Sequence, residues 1–471
     1  MRHRMMVSTI VFAVVFAGCA LSRNARLRTA TDLPLMVADT SIDKLQTPEE
    51  QELVEKASIE RHPNFTLGVI EFSDQALLWD SYQRDAVLKE LEQAAGLKGA
   101  VIVTFVHGWK HNASVCDDNV ACFRAVLQRL AEREQTIGEH RAIFGIYLGW
   151  RGLSSCNEPA KEFSIWSRKR VDEQLGASQG REAVRGILRA YATIKAQHRD
   201  SRLIVAGHSL GAGVVYSAFG PLVQQALTDA IDHRTGTELE PIITAGDLPL
   251  PDLIVLANPA FEAEIYKRTA RDLDTIEQMG LHFSEKQLPL MLTVSSEADW
   301  ATHLLFPAAQ TIHYVLAPFD WTRGGGFLWH SLFTAANFGA DVTDRLDVVP
   351  TAVPLPKREG ATPKERNCFR GDWAELFGNG CACDELAAPG AKARVLQSMT
   401  TPCTLSADHQ VRTCGDVQMT HLRPKLDYRN PFIVAAAAKE VIGGHNDIYN
   451  ERFVTFISAL INEVDIALRG R

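Results

Sequence analysis

One stretch constrains the chain more than any other: Leu203-Ile204-Val205-Ala206 runs into Gly207-His208-Ser209-Leu210-Gly211, and helix-forming residues resume at once through Ala218. A strand that meets a helix with no linker between them must turn sharply. Glycines two residues either side of Ser209 leave room where a Cβ on one element would strike the other. The serine at the apex is forced into a strained backbone conformation, its hydroxyl lifted above the strand ends, with the positive end of the following helix behind it.

The rest of the sequence supplies the sheet that such a turn needs. Apolar runs at 65–72, 100–108, 141–150, 251–260 and 288–296 read as strands, while 120–137, 179–197 and 262–279 have helical periodicity. Strands alternating with helices predict an α/β fold, a mostly parallel sheet covered by helices on both faces. At 471 residues and 46% apolar the chain is long enough to bury such a core. The expected organisation is a leader at 1–18, a polar tether at 19–62, the main body at 63–348, a cysteine-rich insertion at 349–430, and a return to the body at 431–471. The insertion, rich in Pro, Gly and Cys, is read either as a cap over the site or as a solvated decoration. The chain ends in an amphipathic helix at 451–468. A net charge of −8 argues against nucleic acid as a partner.

With its strand and helix context, Gly-His-Ser-Leu-Gly resembles the nucleophile elbow of the α/β-hydrolase family, in particular of its lipases and esterases. The resemblance covers most of 65–345 and the last helix, and it implies a catalytic serine, acid and histidine in that chain order. A serine hydroxyl attacks only when a base removes its proton, and an acid behind the base fixes its tautomer. Ser209 is the nucleophile that the resemblance implies. His445, on the late loop Gly443-Gly444-His445-Asn446-Asp447, stands where the family has its base, with His421 as the reserve. His303, His313 and His330 follow too closely on the acid's strand to be favoured. The acid belongs just after the strand ending near Ser295. Asp299 is preferred there and Glu297 is the alternative. The oxyanion donors implied are the N–H of Leu210 and that of Trp109 in Val106-His107-Gly108-Trp109, with Lys110 as the alternative to Trp109. Trp150-Arg151-Gly152 and Asn258-Pro259-Ala260 end other strands on the same expected sheet edge, where open α/β folds bind ligands.

The amino terminus carries an address. Met1-Arg2-His3-Arg4 precedes a short apolar stretch from Met5 to Ala17, too short to span a bilayer, which reads as a secretory signal. Phe16-Ala17-Gly18-Cys19 resembles the bacterial lipobox, although Phe stands where Leu is usual, and the resemblance implies lipidation at Cys19. The expected location is the cell envelope of a bacterium, with the body held to a membrane through that anchor; Ala20 after the cysteine resembles lipoproteins sorted to the outer membrane. Eight further cysteines suit an oxidising compartment. Cys116 and Cys122 are the expected local disulfide. Cys381-Ala382-Cys383 fits no common structural zinc spacing, so no metal is expected. With no phosphate loop and no histidine pair at ligand spacing, no cofactor is expected either.

The expected function is hydrolysis of carboxylic esters, of a small molecule or a lipid, through an acyl-enzyme at Ser209. Trp79, Trp109, Trp300 and the aromatic run at 324–333 are candidates for an apolar acyl site. Two alternatives stay open: an acyltransferase using the same three residues, and a non-catalytic envelope lipoprotein that binds a partner through the cysteine-rich insertion. Oligomeric state is not legible.

Overall fold

A computed structural model describes residues 25–26, 35–36, 57–115, 117–152, 168–169, 171, 173–176, 178–308, 310–311, 331–350 and 389–469. The leader, Cys19, Cys116, Cys156, Cys368, Cys381, Cys383, His313, His330 and most of the 324–333 run lie outside these residues.

Among the described residues the main sheet is built from thirteen strands. In chain order they are β1 (Leu35–Met36), β2 (Ile59–Arg61), β3 (Thr66–Phe72), β4 (Ala100–Val106), β5 (Ala142–Trp150), β6 (Arg202–His208), β7 (Leu253–Ala257), β8 (Met291–Ser296), β9 (Asp344–Val348), β10 (Thr404–Leu405), β11 (Val411–Cys414), β12 (Val417–His421) and β13 (Phe432–Ala437). They lie side by side as β1-β2-β3-β5-β4-β6-β7-β8-β13-β9-β12-β11-β10. The block from β3 to β9 is parallel throughout. Antiparallel pairing begins at β2 on one side and at β12 on the other.

The α-helices bounded among the described residues are α1 (Ser81–Ala95), α2 (Asp118–Thr136), α3 (Gln179–Gln197), α4 (Leu210–Asp232), α5 (Ala263–Gln278), α6 (Pro389–Ser398) and α7 (Glu451–Arg469). Side chains alternate along each parallel strand, so β4 sends Ile102 and Val106 to one face and Val101, Val103 and Phe105 to the other. The first face is covered by α1, α3, α4 and α5. The second is covered by α2, α6 and α7. Because the chain leaves β4 for β5 on one side and reaches β6 on the other, the loops after β4 and β6 diverge and open a crevice at their carboxyl ends. Among the described residues no helix is long and apolar enough to cross a membrane.

Two stretches read as peripheral contribute to this body. Within 19–62, Arg26 is buried against Glu60 at 2.8 Å, and β2 pairs with β3. Its charge is met by residues far along the chain, which local polarity cannot reveal. Within 349–430, β12, β11 and β10 continue the sheet and α6 packs beneath α7. Their strands are short and partly exposed, so the apolar alternation that marks a strand is weak. A disulfide joins Cys403 to Cys414 across that edge. Cys122 is disulfide-bonded as well; Cys116, its expected partner, is outside the described residues.

Candidate active site

Ser209 joins β6 to α4 with φ 55° and ψ −123°. Such a conformation costs a non-glycine residue about 1–3 kcal/mol and persists only where the surroundings over-determine it. Here the Ser209 N–H donates to the Ala257 carbonyl at 3.0 Å, and the Ser209 carbonyl accepts from Ala212 and Ala260, both at 3.1 Å. The flanking glycines are needed for space. A Cβ on Gly211 would lie 2.2 Å from the Val106 oxygen and 2.4 Å from that of His107, and one on Gly207 would lie 2.6 Å from the Gly211 oxygen.

His445 arrives on the loop between β13 and α7. Its Nε2 is 2.7 Å from Ser209 Oγ and its Nδ1 is 2.7 Å from Asp299 Oδ2. A carboxylate only accepts, so Nδ1–H donates to Asp299 and Nε2 is left to accept the serine proton. Asp299 is fully buried just beyond β8, where it opens a π-helical turn. It also accepts from the N–H groups of Ala301 (3.0 Å) and Thr302 (3.2 Å) and from the Thr302 hydroxyl (2.7 Å). Burial alone would raise its carboxyl, but the hydrogen bond and charge of His445, together with the Thr302 donors, outweigh burial and hold it below the ordinary value.

Two residues hold the histidine loop. Asn258 follows β7 with φ 44°, and its Nδ2 donates to the carbonyls of His445 at 2.8 Å and Gly444 at 3.1 Å. Its Oδ1 accepts the Ser296 N–H at 2.8 Å, which ties the loop to the end of β8. His208 donates from Nε2 to the same His445 carbonyl at 2.8 Å. Burial, reinforced by the adjacent His445, lowers His208 to about 3, so the ring is neutral there. The sequence places Asn258 on the ligand-binding edge of the sheet but gives neither it nor His208 a part in holding the base. Asn tolerates a positive φ better than most residues, and its place at the carboxyl end of a strand on the ligand-binding edge is the signal in the sequence, whereas the proline that follows favours extended backbone and points the other way.

The loop after β4 lies against the serine: a Cβ on Gly108 would come 2.7 Å from Ser209 Cβ. His107 clamps it. Trp150 donates its backbone N–H to His107 Nε2 at 3.0 Å and its indole N–H to the His107 carbonyl at 3.1 Å, while Nδ1–H donates to the Gly108 carbonyl at 2.9 Å. Burial lowers His107 to about 4, consistent with the neutral tautomer that these bonds require. The Lys110 N–H donates to the Gly152 carbonyl at 2.9 Å, which ties this loop to the end of β5. Leu210 is the first residue of α4, where a backbone N–H has no intrahelical acceptor.

The alternatives sit elsewhere. Glu297 turns outward to Arg345, His421 contacts Asp344 at 3.3 Å and the Leu426 carbonyl at 3.1 Å, and His303 reaches the Ser296 carbonyl at 3.2 Å. Among the candidate acyl-site aromatics, Trp109 is partly buried beside the core, while Trp79 and Trp300 are exposed. Among the described residues, the one group with metal-ligand reach is Cys403, Cys414 and Glu463, and its two sulfurs are bonded to each other.

No family model and no curated protein matches the chain. Two solved structures are similar in part. A cutinase from Trichoderma reesei, in complex with a C11Y4 phosphonate inhibitor, is 16% identical over 38% of this chain and 65% of its own, with a TM-score of 0.17. Phospholipase PlaB from Legionella pneumophila is 13% identical over 53% of this chain and 47% of its own, with a TM-score of 0.23. This chain thus spans less than two thirds of either.

Proposed function

We propose that the chain is a serine hydrolase of the α/β-hydrolase type that cleaves carboxylic esters through an acyl-enzyme at Ser209. The observation that carries this reading is the hydrogen-bonded line from Ser209 through His445 to a buried, ionised Asp299. In the reaction, Ser209 Oγ attacks the ester carbonyl carbon as its proton passes to His445 Nε2. The imidazolium that forms is stabilised by Asp299. The oxygen that becomes negative is held by the N–H groups of Leu210 and Trp109, each donor of this kind contributing about 3–4 kcal/mol in the transition state. His445 returns the proton to the departing alkoxide, so an alcohol leaves and the acyl group stays on Ser209. Water then repeats the sequence: His445 takes its proton, hydroxide adds to the acyl carbon, and Ser209 leaves with the proton restored. A carboxylic acid is released.

The address at the amino terminus supports a second part of the proposal: cleavage before Cys19, lipidation of that cysteine, and residence in a bacterial cell envelope with access to lipid or small-molecule esters. The decisive experiment is labelling with a fluorophosphonate probe beside hydrolysis of a soluble short-chain ester. Wild-type protein is expected to label on Ser209 and turn over, and Ser209→Ala to do neither while keeping its circular dichroism. A folded wild-type protein that does not label, with hydrolysis equal to that of Ser209→Ala, overturns the reading.

A further inference from the structure

Arg26 is buried at the catalytic edge of the sheet. Its Nε donates to the Ala113 carbonyl at 2.8 Å, and its Nη1 meets Glu60 at 2.8 Å and the Ala57 carbonyl at 3.1 Å. The N–H groups of Ala25 and Arg26 donate to the two oxygens of Glu71, each at 2.7 Å, and the Arg26 carbonyl accepts from Gln83 at 2.8 Å. Glu71 is the penultimate residue of β3, Ala113 lies in the loop after β4, and Gln83 is in the first turn of α1. All three are at the carboxyl end of the parallel strands, the end at which Ser209 leaves β6. Three strand spacings separate β3 from β6, about 15 Å.

Only six residues separate Cys19 from Arg26. Fully extended, that length reaches about 25 Å. A body of roughly 400 residues is about 55 Å across. A chain pinned at Arg26 therefore cannot pass around the body, and an acyl group on Cys19 must enter the bilayer from the side that carries Ser209.

That side has the surface for it. Leu77, Trp79 and Tyr82 follow β3, and Trp300, Leu304 and Leu305 follow β8, with exposures between 40% for Leu305 and 75% for Tyr82. These two groups bracket Ser209 along the sheet edge. Apolar side chains left in water on either side of a site gain by entering the interface of a membrane held within reach.

We infer that the short link between Cys19 and the Arg26 plug turns the catalytic edge toward the bilayer that holds the anchor, so that the site takes its esters from that lipid surface. This rests on the proposed lipidation of Cys19 and on the reading of Ser209. The orienting element is the plug, because without it the link would run on to β1 at Leu35–Met36, on the outer edge of the sheet, and the fifteen residues between Cys19 and Leu35 reach about 55 Å when extended.

The test uses the full, processed chain reconstituted in phosphatidylcholine vesicles with brominated acyl chains, which quench tryptophan at short range. A second chain carries about 20 Gly/Ser residues inserted after Leu21, which adds about 25 Å of reach and leaves the plug intact. The short-linked protein is expected to show strong quenching, reduced by Trp79→Phe and by Trp300→Phe. The insertion is expected to weaken the quenching and to slow hydrolysis of a long-chain ester carried in the vesicles by about tenfold, with a soluble ester hydrolysed at the same rate by both. Equal quenching and equal vesicle rates in the two chains, with the Cys19 acyl group verified by mass spectrometry, overturn the inference. So does a chain whose Cys19 carries no acyl group. Absence of soluble-ester turnover defeats the reading of Ser209 instead, and the quenching comparison then still decides the orientation.

Discussion

Replacing Asn258 with alanine isolates what holds the base in place. Asn258 touches neither Ser209 Oγ nor the imidazole; it grips the backbone of the loop that presents His445. The substitution removes donors to the His445 and Gly444 carbonyls and leaves the Ser296 N–H, at a fully buried residue, without its acceptor. Two hydrogen bonds at about 1 kcal/mol each, an unsatisfied buried N–H at about 1–3, and about 1–2 for alanine at φ 44° together predict a stability loss of about 4–7 kcal/mol. The catalytic consequence is separable. His208 still donates to the His445 carbonyl, so the loop loosens without detaching. A displacement of the imidazole approaching 1 Å costs up to about 100-fold in rate. We expect kcat to fall about 10- to 100-fold with KM nearly constant, and fluorophosphonate labelling to slow by the same factor. Urea unfolding provides the stability, and steady-state kinetics on a soluble ester, at a temperature where the variant is folded, provide the rest. A variant that loses the stability but keeps kcat and the labelling rate refutes the assignment, because Asn258 then only supports the fold.

Asp299→Asn is expected to lower kcat about 10⁴-fold by removing the acceptor that sets the His445 tautomer, whereas Glu297→Gln, on the outward-facing partner of Arg345, should leave ester kinetics unchanged; equal losses in the two would show that the acid is misassigned. Gly211→Ala places a methyl group against two backbone oxygens that cannot swing aside, so a loss of at least about 3 kcal/mol in urea unfolding is expected, together with loss of labelling, and full activity would contradict the close packing of the elbow. Burial lowers His107 to about 4 and His208 to about 3, from 6.5. Between about pH 6 and 4 the unfolded chain therefore binds protons that the native state does not, and stability should fall by about 1.4 kcal/mol per pH unit for each ring as pH is lowered. His111 and His421, both raised, lose their stabilising contribution only above 6.5 and do not oppose this fall, although the raised carboxyl of Glu71 does so in part. Urea midpoints at pH 7, 6 and 5 measure the slope, and a flat profile would contradict it.

What could be read from the sequence follows the range of the interactions involved. The turn at Ser209 is legible because its requirements are local: glycines at 207 and 211, a strand before and a helix after. The six apolar runs at 65–72, 100–108, 141–150, 203–206, 251–260 and 288–296 correspond to six adjacent strands, since burial on both faces writes itself into every residue of a central strand. The choice between Asp299 and Glu297 was one of type and neighbours. In three dimensions it is decided by direction, because Asp299 turns inward onto the Thr302 and Ala301 N–H groups while Glu297 points to solvent. Arg26 was illegible for the opposite reason to Ser209. Its partners Glu60, Glu71 and Ala113 lie 34 to 87 positions away, and nothing in the neighbourhood of residue 26 marks it as buried.

The same distinction explains why a site can be assembled from residues as far apart as 209 and 445. Strands β6, β7, β8 and β13 are neighbours in the sheet, and each hands one residue to the crevice at its carboxyl end: Ser209, Asn258, Asp299 and His445. At about 4.8 Å per strand the four positions fall within about 15 Å before any side chain is considered. The pairing of β13 with β8, from Met291↔Phe432 to Ser296↔Ala437, is what brings the base to the acid. Of the residues that intervene, 299–302 supply and hold the acid, while the strands from β9 to β10 build the sheet outward and away from Ser209. A change that slips β13 by one residue would exchange its two faces and carry the Gly443–Asp447 loop off Asn258. A slip of that kind would silence Ser209 with its own turn still intact.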